Sequence, residues 1–253
     1  MTKARVTQRD LASGLRQAGI RAGDLVLAHS SLSAFGYVEG GADAVLDALL
    51  DVLGPAGTLV LPTFTWGEFH KATDVVFDVA ATPCETGRIP ETFRLRPGVR
   101  RSIHLCHSMA ACGPATEAVL ANGVHSFWHG SSFDALYERN AWNLMLGVTF
   151  NSCTALHAAE EKASVPYRAY RDYPDCRVRL PNGELILCPS LEFLRQDNSF
   201  NDFAKMESIF RDRDLLTTVQ IGDAKVMNIR IRDVIDTACE LLAEDIRFLS
   251  GTR

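Results

Sequence analysis

Three short apolar runs punctuate the chain: 25-LVLAHS-30, 58-TLVLPTF-64 and 143-NLMLGV-148. None alternates as an amphipathic strand would, and each has the length and composition of a strand buried on both faces. Around them lie helical patterns. One covers 7–19 and stops at Gly19; another covers 41–54 and is ended by Gly54-Pro55. A further pattern over 151–162, capped near Ser152 or Thr154, places His157 three residues before Glu160 and four before Glu161, so an imidazole and a carboxylate share a face. Alternation of buried strands with helices predicts a layered α/β domain.

Other stretches refine that picture. Residues 65–102 form a long connection rich in Pro, Gly and turn residues, and such connections are usually functional or carry short elements of their own. The segment 177–189 reads as a β-hairpin around Pro181-Asn182-Gly183, followed by helices near 202–213 and 230–246. No internal repeat, low-complexity tract or linker interrupts the chain. The expectation is one domain over residues 1–253 with an elaborated C-terminal part.

Composition narrows the class. The chain has 253 residues, 47% of them hydrophobic, enough for a substantial core. No stretch approaches the ~20 apolar residues that span a bilayer, and the charged start, 1-MTKARVTQRD-10, lacks the apolar run of a secretory signal. A cytoplasmic protein without a membrane partner is expected. The net charge of −5 argues against nucleic acid, whose phosphates need concentrated positive charge. The seven cysteines are scattered and form no CxxC pair, so neither a disulfide framework nor a zinc site is expected.

Candidate chemistry lies in three places. In 29-HSSLSAFGYVEGG-41, the hydroxyls of Ser30, Ser31 and Ser33 and the N-terminus of the following helix could hold a phosphate or a pantetheine chain, or simply cap that helix. In 100-RRSIHLCHSMAACG-113, alternation along a strand would send His104, Cys106 and Ser108 to one face, toward a cleft or the core. No standard metal-ligand spacing is present there. On 151–162, His157 reads either as a structural histidine or as a general base whose tautomer is fixed, and pKa raised, by Glu160 or Glu161. Cys153 offers a rival, a Cys-His nucleophile pair of an amidase, if it lies inside the helix.

Taken together, three ordered blocks, 29–64, 82–113 and 147–168, resemble the antibiotic N-acetyltransferase family that contains the aminoglycoside 3-N-acetyltransferases. The pattern resumes weakly at 202–210 and 222–236. The resemblance implies a layered α/β/α sandwich with a central mixed sheet, distinct from the GNAT acetyltransferases, and acetyl-coenzyme A as the acyl donor. It implies direct transfer to an amine, with His157 as base, Glu160 orienting it and Thr154 near the thioester carbonyl. Ser30, Ser31 and Ser33 match the coenzyme-binding turn, and Ser108 matches the serine of an H-P-x-x-S element, with Arg101 as a further coenzyme contact. Two elements depart from the family pattern: 104-HLCHS-108 lacks the proline, and 130-GSSFDAL-136 stands for G-x-x-S-P. Glu161, Asp172 and Asp202 are the expected carboxylates for a cationic acceptor. An aminoglycoside is the leading acceptor class and another biosynthetic amine the alternative. The oligomeric state is not legible, and a homodimer is compatible with it.

Overall fold

The apolar runs become the middle of one seven-stranded sheet. A computed structural model describes residues 4–65, 76–120 and 123–252. Its central strands are β1 (Leu25–Ser30), β2 (Thr58–Pro62), β3 (Arg100–Arg101), β4 (Met109–Cys112), β5 (Trp142–Leu146), β6 (Thr217–Ile221) and β7 (Ala224–Arg230), in spatial order β6-β7-β5-β1-β2-β4-β3. The three inner strands β5, β1 and β2 are parallel, and antiparallel pairs flank them on both sides. The sheet is therefore mixed. Buried strands must be covered twice, and two cores do so.

On one face, Val26, Ala28, Leu59, Leu61, Leu144 and Leu146 meet α1 (Gln8–Gln17), α2 (Gly41–Leu53) and α3 (Arg88–Arg94). On the other, Leu27, Val60, Met145, Met227 and Ile229 meet α5 (Ser132–Glu138), α6 (Ala155–Lys162), α7 (Met206–Asp212) and α8 (Ile231–Glu244), beside the short α4 (Thr116–Val119). The result is the α/β/α sandwich with a mixed sheet that the resemblance implied. Thr7 starts α1 through a reciprocal capping box with Asp10, and Gly19, at φ +96°, turns the chain away after its end.

The long 65–102 connection carries elements of its own. Val76–Asp78 pairs with Arg177–Arg179, which pairs in turn with Leu185–Leu187 to give the expected hairpin; residues 66–75 lie outside the described residues. A second ribbon, Arg168–Tyr173 against Ser190–Arg195, brackets that hairpin in sequence and supplies part of the site wall. Residues 102–108 depart from the expected strand. His104 Nδ1 accepts the His107 N–H at 3.0 Å, closing a turn, and extended pairing begins only at Met109. The imidazole thus closes the turn in the stretch that lacks the proline. Among the described residues, no helix is long and apolar enough to cross a membrane.

Candidate active site

Parallel strands present their carboxyl ends on one edge of the sheet, where ligands of such folds gather. At that edge β5 ends at Leu146 and Gly147 follows with φ +68°; a Cβ there would meet Ala34 Cβ at 2.5 Å. The missing side chain lets the turn at Leu32–Phe35 approach, and the Ser31 N–H donates to Leu146 O at 2.9 Å. The chain then makes one tight turn, Phe150–Ser152, and enters α6. Thr154 is the N-cap residue and its hydroxyl makes no capping bond. Cys153 therefore precedes the helix instead of lying one turn before His157 within it.

A cavity of about 410 Å³ opens over this edge. Its lining includes His29, Ser30, Cys153, Thr154, His157, Arg168 and Glu192, with Phe64, Phe127, Phe193 and Leu194 as apolar walls. A second cavity of about 590 Å³ shares Ser30 and runs past Ser31, Ser33, Gly41 and Arg88. The two adjoin at the end of β1.

The strongest local order surrounds His157. Its Nδ1 lies 2.6 Å from Glu160 Oε2, and its ring is flanked by Phe127 at 5.1 Å and Phe203 at 4.9 Å. That leaves Nε2 for the cavity. Glu160 has no exposed surface and is held on every side: the Tyr167 hydroxyl donates to Oε1 at 2.9 Å, Arg168 Nε stands 2.8 Å from Oε2, and Arg195 lies 3.8 Å away. Burial alone would raise its pKa, but His157, Arg168 and Tyr167 together bring it below the ordinary value. Glu160 is thus an anion.

The imidazole responds differently from the sequence expectation. Burial, and then the Arg168 charge, lower the His157 pKa despite the upward pull of Glu160. The carboxylate fixes the ring, as expected, but the net direction is down. At neutral pH His157 is therefore neutral, with a lone pair to offer.

The other nominated residues divide by position. Ser30 joins both cavities, and its Oγ is buried without a hydrogen-bond partner among the described residues; Ser31 and Ser33 line the second, their hydroxyls 3.3 Å apart. Ser108 and Arg101 face one another behind the wall and line neither cavity. Arg101 Nε donates to Ser108 Oγ at 3.0 Å, its other nitrogens to Thr63 O at 2.7 Å and Thr82 O at 2.6 Å, and Ser108 Oγ donates to Thr63 O at 2.8 Å. Their polar atoms are turned inward. Glu161 is likewise internal: it accepts from the Phe127 N–H at 3.0 Å and the Tyr170 hydroxyl at 3.0 Å, with His125 Nδ1 at 3.2 Å. Asp172 is exposed on its ribbon and Asp202 pairs with Lys205 at 3.1 Å; neither lines the cavity.

Several lining or supporting residues escaped sequence reasoning. Tyr167 and Arg168 end the third family-like block yet carry no local signal of a role, because only tertiary folding brings them to Glu160. Glu192 sits buried in the cavity wall with the Tyr173 hydroxyl donating to its Oε2 at 2.8 Å. His29 heads the serine turn, and counting by twos from buried Leu27 would have aimed it at the α6 side. Burial pushes the Cys153 thiol up to about 12, so it stays protonated and cannot serve as the nucleophile of an amidase. Among the described residues no group of three His, Cys, Asp or Glu side chains is placed to hold a metal ion.

Known proteins of the same build are numerous. The family model described as aminoglycoside 3-N-acetyltransferase matches residues 27–243. Aminoglycoside N(3)-acetyltransferase IV of Salmonella sp is 31% identical over 240 residues, covering 93% of this chain and 87% of the relative. Aminoglycoside N(3)-acetyltransferase VII of Streptomyces paromomycinus is 35% identical over 214 residues, covering 78% and 74%. A crystal structure of a histidine-to-alanine mutant of aminoglycoside acetyltransferase AAC(3)-IVa, in complex with a gentamicin, superposes with a TM-score of 0.79 at 28% identity over 98% of this chain and 93% of that one. With nearly the whole chain matched in both sequence and fold, the protein belongs to the aminoglycoside 3-N-acetyltransferase family.

Proposed function

We propose that the protein transfers the acetyl group of acetyl-coenzyme A to an amine of an aminoglycoside by direct attack, with His157 as the general base. The observation that carries this reading is the neutral imidazole held against the buried Glu160 carboxylate in the wall of a cavity. An amine is mostly protonated near pH 7 and has no lone pair in that state, so the reaction needs a base beside it. His157 Nε2 takes the proton from the attacking nitrogen, while Glu160 remains ionised and holds Nδ1–H. Thr154, which lines the same cavity, supplies its hydroxyl as a donor where the carbonyl oxygen gathers charge. His157 then returns the proton to the departing sulfur, and the products are an amide and a free thiol.

The second cavity fits the coenzyme. The N-terminus of α2 at Gly41 offers backbone N–H groups, Arg88 is an exposed cation, and the Ser31 and Ser33 hydroxyls can bond to phosphate or pantetheine oxygens. Ser30, with its partnerless buried Oγ, stands where that arm would enter the reaction cavity. For the acceptor, Glu192 is the carboxylate in the wall, and it suits an ammonium group of a polyamine sugar.

The test is release of free thiol from acetyl-coenzyme A in the presence of a panel of aminoglycosides and simpler amino sugars, run beside His157→Ala. Release that requires an acceptor and vanishes in the variant is expected. Release undiminished in the variant would remove His157 as the base, and silence with every amine would remove the transferase reading.

A further inference from the structure

Strand β1 alternates between the two cores: Leu27 packs on the α6 side of the sheet and Ala28 on the α2 side. Period two therefore turns His29 toward α6 and Ser30 toward α2 at the junction of the cavities. His29 is only 6% exposed, yet it lines the cavity that also holds Thr154 and His157. Its Nε2 is buried and has no hydrogen-bond partner among the described residues.

A polar atom left in that state costs folding free energy, a cost that a bound group would relieve. Burial lowers the imidazole to about 4, so His29 is neutral at neutral pH. A neutral imidazole still carries one N–H. In a cavity walled by Phe64, Phe127 and Phe193, such a donor acts far more strongly than in water.

We propose that His29 is a second catalytic imidazole, whose Nε2–H donates a hydrogen bond to the carbonyl oxygen of the bound thioester. The proposal rests on the acyl-transfer reading above. His29 gives up no proton: the N–H stays on the ring while the carbonyl oxygen becomes an oxyanion and reverts, and the proton traffic belongs to His157.

Two amide variants separate this role from packing. In His29→Gln an amide nitrogen reaches about as far as Nε2, whereas in His29→Asn it stops at the level of Nδ1. The first readout needs no acceptor: the infrared carbonyl band of acetyl-coenzyme A, isotopically labelled at the carbonyl carbon and bound to each protein. Wild type and His29→Gln are expected to show the band at lower frequency than His29→Asn. The second is turnover, where His29→Asn should lose roughly 10²–10³-fold in kcat, as for removal of one oxyanion donor. His29→Gln should recover most of it, with coenzyme affinity and the shape of the pH profile unchanged.

One carbonyl frequency in all three proteins, or a kcat for His29→Asn within about threefold of wild type, well short of the loss of an oxyanion donor, would overturn the proposal. A lowered band without transfer to any amine would overturn the acceptor reading alone and leave His29 as the donor. No binding of acetyl-coenzyme A by wild type would overturn both.

Discussion

Glu160 and Glu161 are adjacent on α6 and serve opposite sides of it: Glu160 Oε2 lies 2.6 Å from His157 Nδ1, whereas Glu161 Oε2 accepts the backbone N–H of Phe127 at 3.0 Å. The two tasks converge, because Phe127 stacks on the His157 ring at an interplanar angle of 30°. One carboxylate sets the base and its neighbour sets the wall against which the base rests.

Replacing His157 with Ala is expected to lower kcat by about 10²–10⁴-fold while coenzyme affinity holds. With His157 as the base, the enzyme's own acid limb of kcat/KM belongs to this imidazole, set apart from the amine's by comparing acceptors of different pKa. Since burial and Arg168 lower its pKa, the limb should fall below the ordinary value of 6.5. An enzyme limb above that value, unmoved when the acceptor's amine pKa changes, would count against His157 as the free-enzyme base.

Glu160→Gln keeps the shape but removes the anion that Arg168 and Tyr167 surround. Breaking a buried pair of this kind costs about 3–5 kcal/mol, readable as a lower denaturation midpoint. The sign of the pH effect follows from the lowered carboxylate pKa. The wild-type contribution is present above the unfolded-state value, about 4.5, and is lost as pH falls through the folded-state value, so the gap between wild type and variant should close in acid.

Glu161→Ala strips an acceptor from the Phe127 N–H and the Tyr170 hydroxyl. A loss of about 1–3 kcal/mol of stability is expected for such buried donors. Steady-state kinetics should show acceptor KM rising more than kcat falls, because the loosened element is a cavity wall. A pure loss of kcat would place Glu161 in the chemistry instead.

Arg88→Glu reverses an exposed charge on the rim of the second cavity. The KM for acetyl-coenzyme A should rise several-fold at low ionic strength, and the difference from wild type should shrink as salt screens it over about 10 Å at 0.1 M. An unchanged KM would move the coenzyme phosphates elsewhere.

Cys153→Ala should retain turnover, and brief iodoacetamide treatment of wild type should leave activity intact, since a thiol pushed up to about 12 carries no thiolate. Rapid inactivation traced to Cys153 by peptide mapping would revive the Cys-His alternative.

Much of the architecture was legible because buried strands and capped helices leave periodic marks. The runs beginning at Leu25, Thr58 and Asn143 became β1, β2 and β5, and Gly54-Pro55 closed α2 where the pattern stopped. The 102–108 stretch misled because a side chain, His104, folds the backbone into a turn, and alternation rules do not foresee that. At the site, spacing of three placed His157 beside Glu160, which is local geometry. The direction of the His157 shift depended on Arg168 and on burial, both delivered from beyond the helix. The nominated acids Asp172 and Asp202 were chosen by charge alone, and charge says nothing about where a ribbon or loop will face.

The antiparallel return of β7 alongside β5 has a consequence for how the molecule comes into being. Residues 142–146 pair with Val26–Ser30 on one side, but on the other they find their neighbour only in residues 226–230, supplied much later in the chain. During synthesis, β5 waits with an unsatisfied edge, and α6 lacks the packing of α8 behind it. His157 thus sits on a helix whose support is made after it, so competence for chemistry should appear abruptly, once residues 226–244 have emerged, and no nascent product ending before them should carry a fraction of it.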